Sequence, residues 1–360
     1  MMRRPVLIMA GGTGGHVFPA LAVAQELSAR DVPVVWLGTR RGLEAEVVPA
    51  SGVPIEWLSI VGLRGKGWST TMLFPLRLAR AVLQAWRIFV RLDPCVALGM
   101  GGFVSGPGGL AAWLRRVPLV IHEQNAIPGL TNRVLACVAT RTLEAVPNTF
   151  RRAVRTAVTG NPVRGEIARI VSPEQRLAQH GPELRVLIFG GSSGAAALND
   201  VLPAACAELP DARVVRIWHQ VGRLAPLDEI RSRYRDAAVD ARVERFITDM
   251  SAAYAWADLV ICRSGAITVA ELAIAGVASV LVPYPHAVDD HQTQNARCLT
   301  KAGAAELLPQ AQLSAGHLAV RLHHYHVNRA QLLGMACAAR QLARPDAARD
   351  VAENCLAVAA

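Results

Sequence analysis

Twice the chain runs from a short apolar β-type stretch through a glycine loop into a helical stretch. Val6-Leu7-Ile8-Met9-Ala10 leads into Gly11-Gly12-Thr13-Gly14-Gly15-His16, and a helical run from about Pro19 to Arg30 follows. Arg185-Val186-Leu187-Ile188-Phe189 leads into Gly190-Gly191-Ser192-Ser193-Gly194-Ala195, and a helical run from Ala196 to Glu208 follows. Strands that are apolar throughout are buried on both faces, as in parallel sheets covered by helices. Further β-type runs continue the alternation at Val34–Leu37, Val96–Leu98 and Leu119–Ile121, then at Val214–Trp218, Leu259–Cys262 and Ser279–Val282. The pattern predicts an α/β chain of two doubly wound, Rossmann-like domains facing one another across a cleft.

A length of 360 residues exceeds one ordinary core and fits two domains. Gly160, Asn161 and Pro162 break regular structure and place the boundary there. The expected division is 1-163, then 164-337, with a last helix over 338-360 that crosses back to the first domain. The residues Pro94 to Leu114 carry no charge, a span long enough to suggest a membrane helix. They hold six glycines and two prolines, so they read as a strand, a glycine loop and a helix start. At the N-terminus, Gly11 to Gly15 cut the apolar run too short for a signal peptide.

Net charge is +10, almost all from arginine, since Lys66 and Lys301 are the only lysines. Such a chain attracts phosphate, whether in nucleotides, lipids or nucleic acid. The seven cysteines are scattered without a CxxC pair, which fits reduced thiols in a cytoplasm and gives no zinc site. His323, His324 and His326 have no second ligand pair and read as a helix surface. No metal site and no cofactor is expected.

Each glycine loop lets backbone N–H groups approach a phosphate at a helix start. His16 ends the first loop at the carboxyl edge of a sheet, where an imidazole can take a proton near neutral pH. His122-Glu123-Gln124-Asn125 is a polar run after a strand, the kind that faces a ligand. Arg263-Ser264-Gly265-Ala266-Ile267-Thr268-Val269-Ala270-Glu271 opens a helix after a strand, and Glu271 suits a ribose diol. The run from Pro285 to Asn295 is dense in groups that bond sugar hydroxyls. No Asp-x-Asp is present, so Arg164 and helix N-termini must carry a leaving diphosphate's charge.

Taken in order, GGTGGH, GGFVSGP, HEQN, TGNPVR, GGS-x-GA, FI-x-DM, RSGA-x-T-x-x-E and DDHQ-x-x-NA resemble the two-domain GT-B glycosyltransferases. Within them, the resemblance is to the N-acetylglucosaminyltransferases of bacterial peptidoglycan synthesis. Ser193 stands where that family carries glutamine. The resemblance implies transfer of N-acetylglucosamine from UDP-N-acetylglucosamine to undecaprenyl-diphospho-N-acetylmuramoyl pentapeptide, with inversion to a β-1,4 linkage. Another GT-B glycolipid transferase using a UDP-sugar is the alternative. Implied donor contacts are Thr13, Gly14, Gly15, Asn125, Arg164, Ser192, Ile247, Ala266, Ile267, Thr268, Val269, Ala270, Glu271 and Gln292. Ile247 rests on resemblance alone, as a backbone contact to uracil. His16 and Glu123 are the candidate bases, with His16 favoured. The family also implies a peripheral place on the cytoplasmic face of the inner membrane, roles in cell shape and division, and other cell-wall or division proteins as partners.

Trp57 to Leu92 lack any acidic residue and include Arg64, Lys66, Arg77, Arg80, Arg87 and Arg91. On a helix from Pro75 to Leu92, Arg77, Arg80, Gln84, Arg87 and Arg91 fall in one arc of roughly 80°, with apolar residues elsewhere. That pattern predicts contact with an anionic membrane surface through about 64-92. A dinucleotide oxidoreductase requires a complete GxGxxG, but Val17 takes the last glycine position, and Leu37-Gly38-Thr39-Arg40 supplies no acid. A nucleic-acid partner is not expected, because aromatics are 5% and the basic cluster is amphipathic.

Overall fold

The structure is a computed structural model that describes residues 4–60, 74–150, 156–191 and 194–359. The chain forms two compact units, Met1–Arg164 with Pro345–Ala360, and Gly165–Arg344. Among the described residues, the first unit carries a seven-stranded sheet. Its strands are β1 (Val6–Met9), β2 (Val34–Gly38), β3 (Ile55–Trp57), β4 (Val96–Gly99), β5 (Leu119–Glu123), β6 (Arg141–Glu144) and β7 (Thr156–Val158). The order is β3-β2-β1-β4-β5-β6-β7, and every pairing is parallel. Its connecting helices are α1 (Gly14–Ser28), α2 (Glu44–Ala50), α3 (Phe74–Leu92), α4 (Ser105–Leu114) and α5 (Leu130–Leu135).

The alternation of β1 explains why helices cover both faces. Val6 and Ile8 pack into one core with Val17, Leu21 and Val23 of α1. Leu7 and Met9 point the other way, into a core with Ala85, Ile88 and Phe89 of α3 and Ala111 of α4. Full burial of each of the Val, Leu, Ile, Met and Phe side chains among these is worth about 1.5–3 kcal/mol.

The second unit repeats the plan with six described strands. These are β8 (Leu184–Phe189), β9 (Val215–Gln220), β10 (Asp240–Glu244), β11 (Leu259–Cys262), β12 (Ala278–Leu281) and β13 (Ala305–Leu307). They run parallel in the order β10-β9-β8-β11-β12-β13. Its helices are α6 (Gly165–Ala168), α7 (Pro173–Ala178), α8 (Ala196–Ala207), α9 (Leu227–Asp236), α10 (Met250–Trp256), α11 (Ala266–Ala275), α12 (His291–Thr300), α13 (Ala315–Val327) and α14 (Arg329–Gln341). Buried Asp258 ties this unit together, accepting from His180 Nδ1 at 2.5 Å, Arg185 N–H at 3.0 Å and Arg329 Nη2 at 2.9 Å.

Three expectations are corrected. The first helix starts at Gly14, not near Pro19, and contains Pro19. Proline favours the first turn of a helix, which drew the expected start toward it. His122 and Glu123 do not follow β5 but end it, because the pairing with β6 extends to Glu123 and Glu144. The single helix expected over 338-360 is two. Ala338 to Gln341 finish α14, and α15 (Ala347–Ala359) begins after the break around Pro345, whose ring and missing N–H disfavour helix there. Only α15 packs on the first sheet, through Val351, Ala352 and Cys355.

Candidate functional site

In a parallel α/β sheet, the strands on either side of the reversal in strand order send their following loops apart, and ligands bind beyond their carboxyl ends. In the first unit those strands are β1 and β4. The glycine loop Gly11 to Gly15 follows β1, and Met100 to Val104 follows β4. The two loops touch closely. Gly102 has φ +81°, and a Cβ there would lie 2.2 Å from the carbonyl oxygen of Gly11, so no other residue fits. Thr13 caps α1 with extended backbone, and its side chain makes no capping hydrogen bond to the helix. Gly12, Thr13 and Gly15 are exposed.

Buried Glu44, at the start of α2, holds this loop from the other side. Its Oε2 accepts Gly12 N–H at 2.9 Å, and its Oε1 accepts Thr39 N–H at 2.9 Å and the Thr39 hydroxyl at 2.7 Å. A Cβ on Gly11 would lie 2.6 Å from the same carboxylate. Sequence pattern did not single out Glu44, since a carboxylate in a short loop-to-helix segment ordinarily faces water.

His16, in the first turn of α1, is half-buried, and its Nδ1 lies 3.1 Å from Gln124 Oε1. Gln124 Nε2 donates to Met100 O at 2.9 Å and lies 3.2 Å from His122 Nδ1. His122 Nε2 donates to Gly160 O at 2.9 Å. Burial pushes the His122 imidazole down to about 4, partly offset by its bond to Gly160 and the nearby Glu123, so it is neutral at pH 7. Glu123 is buried and fully engaged. Its Oε1 accepts from Asn125 N–H at 3.0 Å and Asn125 Nδ2 at 3.1 Å. Its Oε2 accepts from Gly129 N–H at 3.0 Å and Asn132 Nδ2 at 2.9 Å. It therefore shapes the turn that carries Asn125. Arg164 lies 5.4 Å from the Phe18 ring centroid, and a Cβ on Gly14 would meet that same ring at 2.9 Å. The first unit thus brings together Thr13, Gly14, Gly15, His16, Glu123, Asn125 and Arg164.

In the second unit the strands at the reversal are β8 and β11. The second glycine loop follows β8, and Arg263-Ser264-Gly265 follows β11. Ser192 and Ser193 lie outside the described residues. Gln220, buried at the end of β9, donates to Gly191 O at 3.0 Å and Arg245 O at 3.1 Å. It joins the glycine loop to the segment carrying buried Ile247. Gly265 caps α11, and the first turn contains no acidic residue. Ala266, Ile267, Thr268, Val269 and Ala270 form its opening turns. Glu271 is buried rather than a surface residue, and Tyr254 donates its hydroxyl to Glu271 Oε2 at 2.9 Å. Gln292 Oε1 accepts Tyr284 N–H at 2.9 Å, and Asn295 Nδ2 donates to Ser264 O at 3.3 Å. Asp289 and Asp290 have φ +52° and +51°, a left-handed turn into α12. Phe18, Tyr254 and Gln220 act by contacts between distant segments, which no local spacing announces.

On α3, Leu76, Leu83 and Val90 are 71%, 63% and 52% exposed, at intervals of seven residues that keep them on one stripe. Exposed Arg77, Arg80 and Arg87 flank it. Gln84 and Arg91 turn instead to the β3 segment. Gln84 Nε2 donates to Trp57 O at 2.9 Å, and Arg91 pairs with Glu56 at 2.6 Å. Helix α4, packed beside α3, exposes Trp113 and Leu114. Arg64 and Lys66 lie outside the described residues. Among those residues, no helix is long and apolar enough to cross a membrane.

Residues 6–144 match the glycosyltransferase family 28 N-terminal domain, and residues 185–351 match the glycosyltransferase family 28 C-terminal domain. The chain belongs to glycosyltransferase family 28. It is 53% identical to a family member from Azotobacter vinelandii and 54% identical to one from Nitrosococcus oceani, each over 98% of both chains. Both relatives are named UDP-N-acetylglucosamine--N-acetylmuramyl-(pentapeptide) pyrophosphoryl-undecaprenol N-acetylglucosamine transferase. The crystal structure of Acinetobacter baumannii MurG superposes with a TM-score of 0.84 at 40% identity, covering 98% of this chain and 99% of that one. The two Rossmann-like domains of the GT-B class, expected from the sequence, are those of this family 28 chain.

Proposed function

We propose that the chain transfers N-acetylglucosamine from UDP-N-acetylglucosamine to undecaprenyl-diphospho-N-acetylmuramoyl pentapeptide, forming a β-1,4 linkage. What carries this reading is the 53–54% identity, over 98% of both chains, to relatives bearing that name. The loops at both strand-order reversals support it, because they present helix N-termini suited to a diphosphate. The acceptor hydroxyl oxygen attacks the anomeric carbon as the bond to UDP breaks, so one displacement inverts the α-linked donor. His16 takes the hydroxyl proton. Glu123, saturated by amide donors, is the weaker candidate and orients Asn125.

The proposed donor contacts are Thr13, Gly14, Gly15, Asn125 and Arg164 on the first unit, and Ile247, Ala266 to Glu271 and Gln292 on the second. Ser192 completes the set. Glu271 takes the ribose, and Arg164 with the helix N-termini takes the leaving diphosphate. The exposed apolar stripe of α3, flanked by Arg77, Arg80 and Arg87, is the proposed contact with an anionic membrane surface, on the cytoplasmic face where the acceptor's headgroup lies. Work on cell-wall precursors also makes cell-shape and division proteins natural partners.

The decisive assay is turnover with purified lipid-linked muramyl pentapeptide and a panel of nucleotide sugars. Preference for UDP-N-acetylglucosamine and a disaccharide product are expected. Efficient use of another lipid acceptor in its place would favour a different glycolipid transferase.

A further inference from the structure

The hydrogen bonds behind His16 run in one direction only. A backbone carbonyl can accept but never donate, so Met100 O and Gly160 O fix both ends of the chain of contacts. Met100 O requires the amide nitrogen of Gln124, at 2.9 Å. Gln124 Oε1 must then face His16 Nδ1, at 3.1 Å, and accept a proton from it. Gly160 O requires the N–H of His122 at Nε2, at 2.9 Å, which leaves His122 Nδ1 as an acceptor. The second hydrogen of the Gln124 amide points to that acceptor, at 3.2 Å. Turning the amide of Gln124 over would set oxygen against Met100 O and against a lone pair of His122. The wrong orientation is therefore opposed twice. Gln124, His122 and Gly101 are buried or nearly so, and a Cβ on Gly101 would lie 2.6 Å from the His16 ring, so the imidazole is seated from behind.

We infer that Gln124 is a positioning residue that holds His16 as the Nδ1–H tautomer and presents the Nε2 lone pair as the proton acceptor. The inference rests on the reading of His16 as the base. It adds which nitrogen acts and what selects it. A neutral amide orients the ring without placing a charge behind it, unlike a carboxylate behind a histidine. Ionisable groups on the segments that meet at this loop include His122, Glu123, Glu44 and Arg164. His122 is neutral, and Glu123 and Glu44 spend their oxygens on the amides and the Thr39 hydroxyl described above.

The test joins nitrogen NMR of histidine-labelled protein with kinetics, using His16→Ala to assign the His16 resonances. In the unsubstituted protein above its titration, His16 Nδ1 should show the shift of a protonated ring nitrogen and Nε2 that of an unprotonated one. The reverse pattern, or an even mixture, overturns the inference before any variant is made. In Gln124→Met the tautomers should mix. Turnover should fall by roughly 10–100-fold with UDP-N-acetylglucosamine affinity within about twofold, as for other groups that orient a reactive one. If Gln124→Met mixes the tautomers yet turns over normally, the positioning stands and the assignment of His16 as base fails.

Discussion

Glu44 Oε2 accepts the N–H of Gly12 at 2.9 Å, tying the first glycine loop to the segment that opens α2. The same carboxylate satisfies the N–H and the hydroxyl of Thr39. Removing it leaves the N–H groups of Gly12 and Thr39 and the Thr39 hydroxyl without this acceptor in a partly buried place, at a cost of about 1 kcal/mol. Glu44→Ala should therefore lower the unfolding midpoint and reduce turnover, through a loosened loop. An unchanged thermal transition with full activity would show that the loop keeps its shape without Glu44.

In the second unit, Tyr254 fixes one oxygen of Glu271 at 2.9 Å. Glu271→Ala should weaken UDP-N-acetylglucosamine binding by about 1–3 kcal/mol from lost hydrogen bonds to the ribose. Tyr254→Phe should weaken it less, because the carboxylate stays but loses its orientation. Calorimetric titration of both folded variants decides this, and unchanged affinity in Glu271→Ala removes that residue from the ribose site.

Turnover should survive exhaustive chelation, since the chain offers no Asp-x-Asp to bridge a metal to the diphosphate. Arg164→Ala should then lose roughly 100-fold or more in kcat, the scale of losing one preorganised charge at a developing anion. Activity abolished by chelator and restored by magnesium would reverse this view of the leaving group.

Replacing Arg77, Arg80 and Arg87 with glutamine should abolish sedimentation with anionic vesicles at low salt and leave UDP binding intact. Each cation near such a surface contributes about 1 kcal/mol. Arg91 is kept, because its pairing with Glu56 helps hold α3 to the sheet edge. A triple variant that still pellets with vesicles would move the membrane contact elsewhere.

The two candidate bases separate by their pH dependence. His16→Ala should lose about 10²–10⁴ in rate, and the acidic limb of the pH–rate profile should disappear with it. Glu123→Gln should keep that limb. Its main effect should be on stability, because a side-chain amide group replaces an acceptor facing N–H groups of Asn125, Gly129 and Asn132. A Glu123→Gln variant that folds normally but loses the limb would transfer the role to Glu123.

The α/β class, the two repeats and the glycine loops were legible in local pattern. Apolar strands such as Val6 to Met9 and glycines before helices are consequences of burial and backbone sterics, which act over a few residues. The runs that contain Asn125, Glu271 and Gln292 were legible for a related reason, since polar side chains at the ends of buried strands have few structural uses. Tertiary structure alone decided how those residues are held. It put Glu44 beneath Gly12, Tyr254 against Glu271 and Phe18 beneath Arg164, and it ended the second unit at Arg344 rather than in mid-helix. It also set Glu123 apart from His16 in surroundings, because the first spends both oxygens on amide donors while the second meets Gln124. Hydrogen bonds join whichever groups the fold brings within about 3 Å. Residues far apart in the chain meet there only after the sheet has assembled.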